Sequence, residues 1–211
     1  MTISVSHSII PENMKALCIV FHGYGADGMD LVRIGEYYSN YFPDMGFIFP
    51  NGIEACDVNP MGRQWFSLYD FNPSTIRGGL DKSGPIISQF IKQQSLKFKI
   101  SIDDVVLMGF SQGCIVCLEM LYFFKKLKGI VGFSGAYYPN NTRNKVNETP
   151  VALSHGMIDS VVPYSSLIFA ENLLKSQGFN IETHTSEYLA HGIDDSCLSF
   201  GKNFLRSKVF I

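Results

Sequence analysis

Apolar runs alternate with amphipathic stretches along this chain. Runs rich in β-branched or aromatic residues predict strands, and they occupy residues 17–21, 46–49, 105–109, 129–133, 151–154 and 180–188. Several are apolar throughout, which is typical of parallel strands covered on both faces. Stretches with helical spacing lie between them, at residues 30–38, 80–97, 112–125, 164–176 and 196–206. The alternation predicts an α/β fold, with a mostly parallel central sheet and helices on both faces.

Residues 50–79 interrupt this alternation. The segment holds three prolines and four glycines, and it has no run long enough to predict an element. A loop of that length in a small domain is usually functional, so we expect a lid or substrate loop here. The next helix is expected to begin near residue 80, with Asp81 or Ser83 as its N-cap.

Length and composition narrow the class of protein. The 211 residues suit a single domain spanning 1–211, and 46% hydrophobic residues suffice for a core. Charged residues make up 17% and nearly cancel to a net −2, without a basic stripe, so we expect no nucleic-acid partner. No run approaches the length of a membrane span and the N-terminus has no signal-peptide pattern, so we expect a cytoplasmic protein without stable membrane insertion.

The five cysteines include a C-x-x-C pair, Cys114 and Cys117, which raises the question of zinc or redox chemistry. A zinc site would need two further ligands, and the sequence has no second C-x-x-C or H-x₃₋₅-H pair. The pair also lies inside an apolar run rather than at a helix start. We therefore expect buried packing cysteines and no metal.

Residues 109–113 read Gly-Phe-Ser-Gln-Gly, which fits the pattern G-x-S-x-G. The motif follows a predicted strand and opens a predicted helix, the context in which a sharp turn exposes a nucleophilic serine. Its glycines leave room where a side chain would clash. We expect Ser111 to be the nucleophile; the alternative is a tight strand–helix turn with an incidental serine.

A nucleophilic serine needs a base and an acid, which follow it in the order Asp, then His in this kind of fold. Asp159 comes just past a predicted strand, at the sheet edge expected for Ser111, and its alternative role is the N-cap of the next helix. His191 follows the last predicted strand on a loop, whereas His184 alternates with polar residues inside that strand. We expect His191 to be the base and Asp159 to hold its tautomer.

Reaction at a carbonyl also requires donors for the oxyanion. Residues 21–28 form a glycine-rich turn after the first strand, and we expect the backbone N–H groups of Tyr24 and Gln112 to be these donors. The alternative, a phosphate-binding turn, matches neither a P-loop nor a dinucleotide fingerprint. His22 and His155 are expected to brace their loops by hydrogen bonding.

Together these motifs resemble the phospholipase/carboxylesterase family, which includes the acyl-protein thioesterases. The matching stretches run nearly end to end, in the family's order, at residues 21–25, 50–52, 62–67, 109–113, 155–163 and 190–192. The resemblance implies a minimal α/β-hydrolase that cleaves fatty acyl esters or thioesters without a cofactor. It also implies that Ser111, Asp159 and His191 form the triad, and that Tyr24 and Gln112 bind the oxyanion.

The resemblance further implies that Trp65 and Phe66 lie near the acyl-binding groove. Two residues depart from the family pattern: Tyr24 stands where leucine is frequent, and Cys114 where a second glycine is frequent.

The expected partner is a small-molecule or lipid acyl ester, or an acylated protein. Two other functions stay open: hydrolysis of small polar esters or lactones in a cramped polar pocket, and an inactive hydrolase-fold binding protein.

Overall fold

The computed structural model describes residues 3–140 and 148–210. The strands of these residues are β1 (Val5–Ile9), β2 (Ala16–Phe21), β3 (Met45–Pro50), β4 (Glu54–Ala55), β5 (Arg63–Gln64), β6 (Val105–Phe110), β7 (Gly129–Phe133), β8 (Val151–Gly156) and β9 (Ile181–Ser186). The α-helices are α1 (Val32–Ser39), α2 (Pro73–Phe98), α3 (Gln112–Glu119), α4 (Ser165–Ser176) and α5 (Asp195–Phe204). Shorter helical turns cover Ile102–Asp104, Met120–Tyr122 and Leu205–Val209.

Seven of the described strands form one sheet in the order β1-β3-β2-β6-β7-β8-β9. Strand β1 runs antiparallel to β3, and every other neighbouring pair is parallel. The predicted mostly parallel sheet is therefore confirmed. Strand β1 was missed because its sequence, Val-Ser-His-Ser-Ile, is polar and largely exposed at the sheet edge. Strands β4 and β5 form a separate short hairpin.

Strand β2 illustrates how both faces of the sheet are covered. All six of its residues are buried. Leu17 and Ile19 pack into the apolar cluster that includes α2, α3 and α4, whereas Cys18 and Val20 pack into the cluster that includes α1 and α5. Successive side chains of a strand point to opposite faces, so a continuous apolar run requires helices on both sides.

Helix α2 begins earlier than predicted, which shortens the expected 50–79 loop. Asn72 is the N-cap and accepts a hydrogen bond of 2.9 Å from the Ser74 amide, and Pro73 occupies the first turn. The prediction of Asp81 or Ser83 as N-cap is wrong. Asn72-Pro73 is a typical helix start, but Gly78 and Gly79 are unfavourable in a helix and led to a later predicted start. Although α2 has 26 residues, no helix within the described ranges is both long and apolar enough to span a membrane.

Candidate active site

Ser111 lies at the sharp turn between β6 and α3. Its backbone has φ 54° and ψ −115°, a combination that residues other than glycine rarely adopt. A Cβ added at Gly109 would lie 2.4 Å from the Gly113 backbone, and one added at Gly113 would lie 1.9 Å from the Phe21 carbonyl oxygen. Both glycines are thus required by close backbone approach, as the motif predicts.

The structure brings the three predicted triad residues together at the carboxyl edge of the sheet. His191 Nε2 lies 3.0 Å from Ser111 Oγ, across 80 sequence positions. His191 Nδ1 lies 2.8 Å from Asp159 Oδ2, across 32 positions. Because a carboxylate only accepts hydrogen bonds, Nδ1 carries the proton and Nε2 is the acceptor for the Ser111 hydroxyl. The imidazole is therefore held in the tautomer that a general base requires.

Asp159 is buried and is held by several donors. Its Oδ1 accepts hydrogen bonds from the amides of Val161 at 2.8 Å and Val162 at 2.9 Å. Burial would raise the pKa of Asp159, but the hydrogen bonds from His191 and from these amides outweigh it and lower the pKa below its usual value. The alternative role as N-cap of α4 is wrong, because α4 begins at Ser165 and has no side-chain cap.

His184 and His22 make no hydrogen bond to Ser111, His191 or Asp159 among the described residues. His184 Nε2 pairs with Ser196 Oγ at 3.0 Å, and its ring stacks on Phe200. His22 accepts a hydrogen bond of 2.9 Å from the Gly52 amide and donates from Nδ1 to its neighbour's carbonyl. Burial lowers the pKa of His22, so it is a neutral brace for its loop, as predicted.

The predicted oxyanion donors, Tyr24 and Gln112, both line a cavity that also contains Ser111 and His191. No hydrogen bond within residues 3–140 and 148–210 uses the backbone N–H of either donor. The Tyr24 hydroxyl donates to Asp57 at 3.2 Å, which ties the glycine-rich turn to the hairpin segment. With no partner among the described residues, both N–H groups are candidates to bind an oxygen beside Ser111.

This cavity has a volume of about 420 Å³ and mostly apolar walls. Its remaining lining residues are Leu68, Phe71, Ile76, Ile115, Ala136, Tyr138, Val161, Val162, Pro163 and Ser166. A second cavity of about 330 Å³ shares Ala136, Tyr138 and Ser166 with it and extends to Phe169 on α4. Because they share these residues, the two cavities are neighbours, and their joint lining is termed the apolar groove.

Trp65 and Phe66, the predicted substrate-binding residues, line a separate cavity of about 470 Å³. Both are almost fully buried, and neither lines the cavity that contains Ser111. The indole N–H of Trp65 donates to the His22 carbonyl at 3.0 Å, which anchors it behind the site. Leu68 and Phe71 line the cavity instead. Both residues belong to the predicted lid or substrate loop at 50–79, but the sequence does not show which side chains of this loop point towards Ser111.

Cys114, the second departure from the family pattern, fits between two glycines. A Cβ at Gly132 would lie 2.4 Å from Cys114 Sγ, and one at Gly135 would lie 2.4 Å from Cys114 Cβ. Burial raises the pKa of the Cys114 thiol to about 12 and raises that of Cys117 as well, so both stay protonated. The predicted burial of this pair is confirmed.

The chain is similar to known proteins over most of its length. The model of a family described as Phospholipase/Carboxylesterase matches residues 6–209. Acyl-protein thioesterase 1 of Candida albicans (strain SC5314 / ATCC MYA-2876) is 30% identical over 229 aligned positions, covering 98% of this chain and 99% of the relative. Esterase YpfH of Escherichia coli (strain K12) is 28% identical over 193 positions, covering 91% of this chain and 82% of the relative.

Solved structures give the same result. The crystal structure of esterase PE8 superposes with a TM-score of 0.93 at 29% identity, covering 99% of this chain and 100% of that chain. The carboxylesterase of Bacillus cereus shares the fold, with a TM-score of 0.82 at 16% identity, covering 98% of this chain and 94% of that chain. The serine turn, the order of the sheet and the match over residues 6–209 lead to one conclusion: this chain belongs to the phospholipase/carboxylesterase family and has the α/β-hydrolase fold.

Proposed function

We propose that this protein is a serine carboxylesterase or thioesterase that hydrolyses acyl esters or thioesters through an acyl-enzyme on Ser111. One observation carries the proposal: the hydrogen-bonded line from Ser111 through His191 to Asp159 opens onto a largely apolar cavity. The line supplies the base that a serine hydroxyl needs to act as a nucleophile. The cavity supplies a place for the acyl chain.

Acylation begins when Ser111 Oγ attacks the carbonyl carbon and its proton moves to His191 Nε2. The Asp159 carboxylate beside Nδ1 stabilises the imidazolium that forms. The carbonyl oxygen becomes an oxyanion, for which the amides of Tyr24 and Gln112 are the proposed donors. The intermediate then collapses, and the bond to the alcohol or thiol breaks. The leaving group takes the proton from His191.

Deacylation repeats these steps with water. His191 Nε2 accepts a proton from the water molecule as its oxygen attacks the acyl carbon attached to Ser111. A second oxyanion forms in the same place as the first. Its collapse breaks the ester bond to Ser111, which recovers its proton from His191 as the carboxylic acid leaves. Each step uses only the side chains and backbone amides described above, together with water.

The shape of the cavity favours a fatty acyl chain over a small polar acid. Leu68, Ile76 and Ile115 give it apolar walls close to Ser111. Beyond the shared residue Ser166, the second cavity extends the groove along α4. Apolar side chains lining a concave site bind apolar ligands because both surfaces leave water. A small polar ester would leave this groove unfilled.

The proposed substrates are small-molecule or lipid acyl esters and acylated proteins. The names of the relatives include both an esterase and acyl-protein thioesterases, which supports oxygen esters and thioesters alike. Both classes have the same acyl side, which the groove receives. They differ in the leaving group.

Hydrolysis of nitrophenyl esters from acetyl to palmitoyl tests this function, with Ser111→Ala as the blank. We expect a rate that depends on Ser111 and peaks at medium or long chains, and a loss on the order of 10⁶-fold in the variant. A fluorophosphonate should label the wild-type protein and leave Ser111→Ala unlabelled.

Three outcomes would contradict the proposal. A peak at acetyl would indicate a hydrolase of small esters. No rate above the blank, combined with no labelling, would indicate a hydrolase-fold binding protein. If Ser111→Ala kept a tenth of the activity, the nucleophile would be another residue.

A further inference from the structure

His155, at the end of β8, lies directly behind the proposed triad. Its side chain is 1% exposed. Its Nε2 lies 2.8 Å from the Val162 carbonyl oxygen and 3.3 Å from Asp159 Oδ2. Both neighbours are acceptors, so Nε2 must carry a proton. Its hydrogen bond goes to the Val162 carbonyl, and the Asp159 carboxylate lies beside the same N–H group without accepting a hydrogen bond from it.

Asp159 Oδ2 is the same oxygen that accepts the hydrogen bond from His191. It therefore lies between two imidazoles, one on each side, while Oδ1 is satisfied by the amides of Val161 and Val162. Rotation of the carboxylate away from His191 would break all of these contacts together. The orientation of Asp159 is set by its own loop and by His155.

Gly156, the next residue, joins this region to the loop that carries His191. A Cβ at Gly156 would lie 2.1 Å from the Leu189 carbonyl oxygen and 2.5 Å from that of Ala190. The end of β8 therefore packs directly against the residues that precede His191. Residues 155–156 thus lie beside Asp159 on one side and beside the backbone that precedes His191 on the other.

We propose that His155 is a positioning residue: its Nε2–H holds the Val162 backbone beside the Asp159 carboxylate and, as a dipole close to that carboxylate, sets how strongly it attracts a proton on His191. The inference rests on the proposed function, since it assigns His191 as the base. A donor beside a carboxylate takes up part of its negative charge. Without His155, more of the carboxylate charge would act on the imidazolium of His191 and stabilise it more.

The surroundings of the pair contain few other charges that would obscure this effect. The other titratable side chains that line the cavity are Tyr24 and Tyr138. Burial raises the pKa of both phenols, so neither carries a charge near neutral pH. His155 is the titratable group that faces Asp159 from β8, and Ser111 faces His191 from the turn after β6.

The test compares His155→Leu, His155→Gln and His155→Asn. A glutamine amide reaches the position of Nε2, whereas an asparagine amide reaches only that of Nδ1. We expect the leucine and asparagine variants to move the acid limb of kcat/KM upwards, by up to about one pH unit. They should also lower kcat. The glutamine variant should stay close to the wild type in both respects.

Nuclear magnetic resonance of ¹⁵N-histidine-labelled protein gives a second reading that needs no substrate. The titration midpoint of His191 should rise in His155→Leu and return in His155→Gln. The control is His184→Gln, because His184 is a partly buried histidine on β9 that pairs with Ser196 instead. It should leave the midpoint of His191 and the pH profile unchanged.

The proposal is overturned if a folded His155→Leu protein keeps the wild-type midpoint of His191 and the wild-type acid limb. If the leucine variant does not fold, the glutamine and asparagine variants decide, and equal behaviour of the two would reject the role of Nε2. Failure of the proposed function would be distinct from either result. It would appear as no Ser111-dependent hydrolysis in the wild-type protein.

Discussion

The side-chain oxygen of Gln112 accepts a hydrogen bond of 3.0 Å from the amide of Trp65, 47 positions earlier in the chain. Its side-chain nitrogen donates to the Phe66 carbonyl at 2.7 Å. Gln112 is fully buried, so both hydrogen bonds are shielded from water. The residue after Ser111 therefore fixes the loop that carries Trp65 and Phe66, while its backbone N–H has no partner among the described residues.

Gln112→Met should destabilise the protein and slow catalysis. The change keeps the backbone N–H but leaves the Trp65 amide and the Phe66 carbonyl without partners, at about 1–3 kcal/mol each. Urea unfolding measures the first effect, and kcat on a nitrophenyl ester measures the second. The matched control is Gln94→Met, because the buried Oε1 of Gln94 has no partner among the described residues. Equal stability of the two variants would contradict this role of Gln112.

His191→Ala should abolish hydrolysis, whereas His184→Ala should retain nearly all of it. The reason is geometric, because His191 lies 3.0 Å from Ser111 Oγ and His184 pairs with Ser196. Losing the base of a triad costs on the order of 10⁶ in kcat. Steady-state rates on one ester, with circular dichroism to confirm folding, give the comparison. The reverse ranking would assign the base to His184.

Ser166→Phe should shorten the preferred acyl chain. Ser166 lines both cavities, so a phenyl ring at this position would separate the distal one from the space beside Ser111. We expect the rate on palmitoyl esters to fall while the rate on acetyl esters is kept, as measured across the nitrophenyl series. Ser176→Phe, at the other end of α4, is the control for an added ring. An unchanged chain-length profile would place the acyl groove elsewhere.

Asp194→Ala should destabilise the protein in a pH-dependent way. Asp194 caps α5 by accepting from the Cys197 amide at 2.8 Å, and it also accepts from the Ser186 hydroxyl, so it closes the loop that carries His191. Burial would raise the pKa of Asp194, but these hydrogen bonds lower it instead. The loss of an N-cap costs about 1 kcal/mol.

The sign of the pH effect follows from that lowered pKa. The stabilisation is complete above the unfolded-state pKa of about 3.9, and it is lost as the pH falls towards the folded-state value. The difference in free energy of unfolding between wild type and Asp194→Ala should therefore shrink below pH 4. Asp195→Ala, at the exposed next position, is the control. A difference that does not vary between pH 7 and pH 3 would contradict this account.

The sequence predicted a loop over residues 50–79, but helix α2 already begins at Pro73. Pro73 at the first turn of α2, after the N-cap Asn72, is a local signal of a helix start. The pair Gly78 and Gly79 opposes that signal, since glycine weakens a helix. A Cβ at Gly79 would lie 2.9 Å from Phe66 Cβ, so the helix accepts glycine there to pack against the loop. Only the fold reveals that contact.

Two features could be read from the amino-acid sequence: the order in which Ser111, Asp159 and His191 follow predicted strands, and the sharp turn at Ser111. Continuous apolar runs specify buried strands, and Gly109 and Gly113 specify a strained turn, because both signals are local to a few residues. The tertiary structure alone decided that Trp65 is buried behind the site and that Phe71 lines the cavity. The direction of a loop side chain depends on partners such as Gln112, which lie far away in the sequence and meet the loop only after folding.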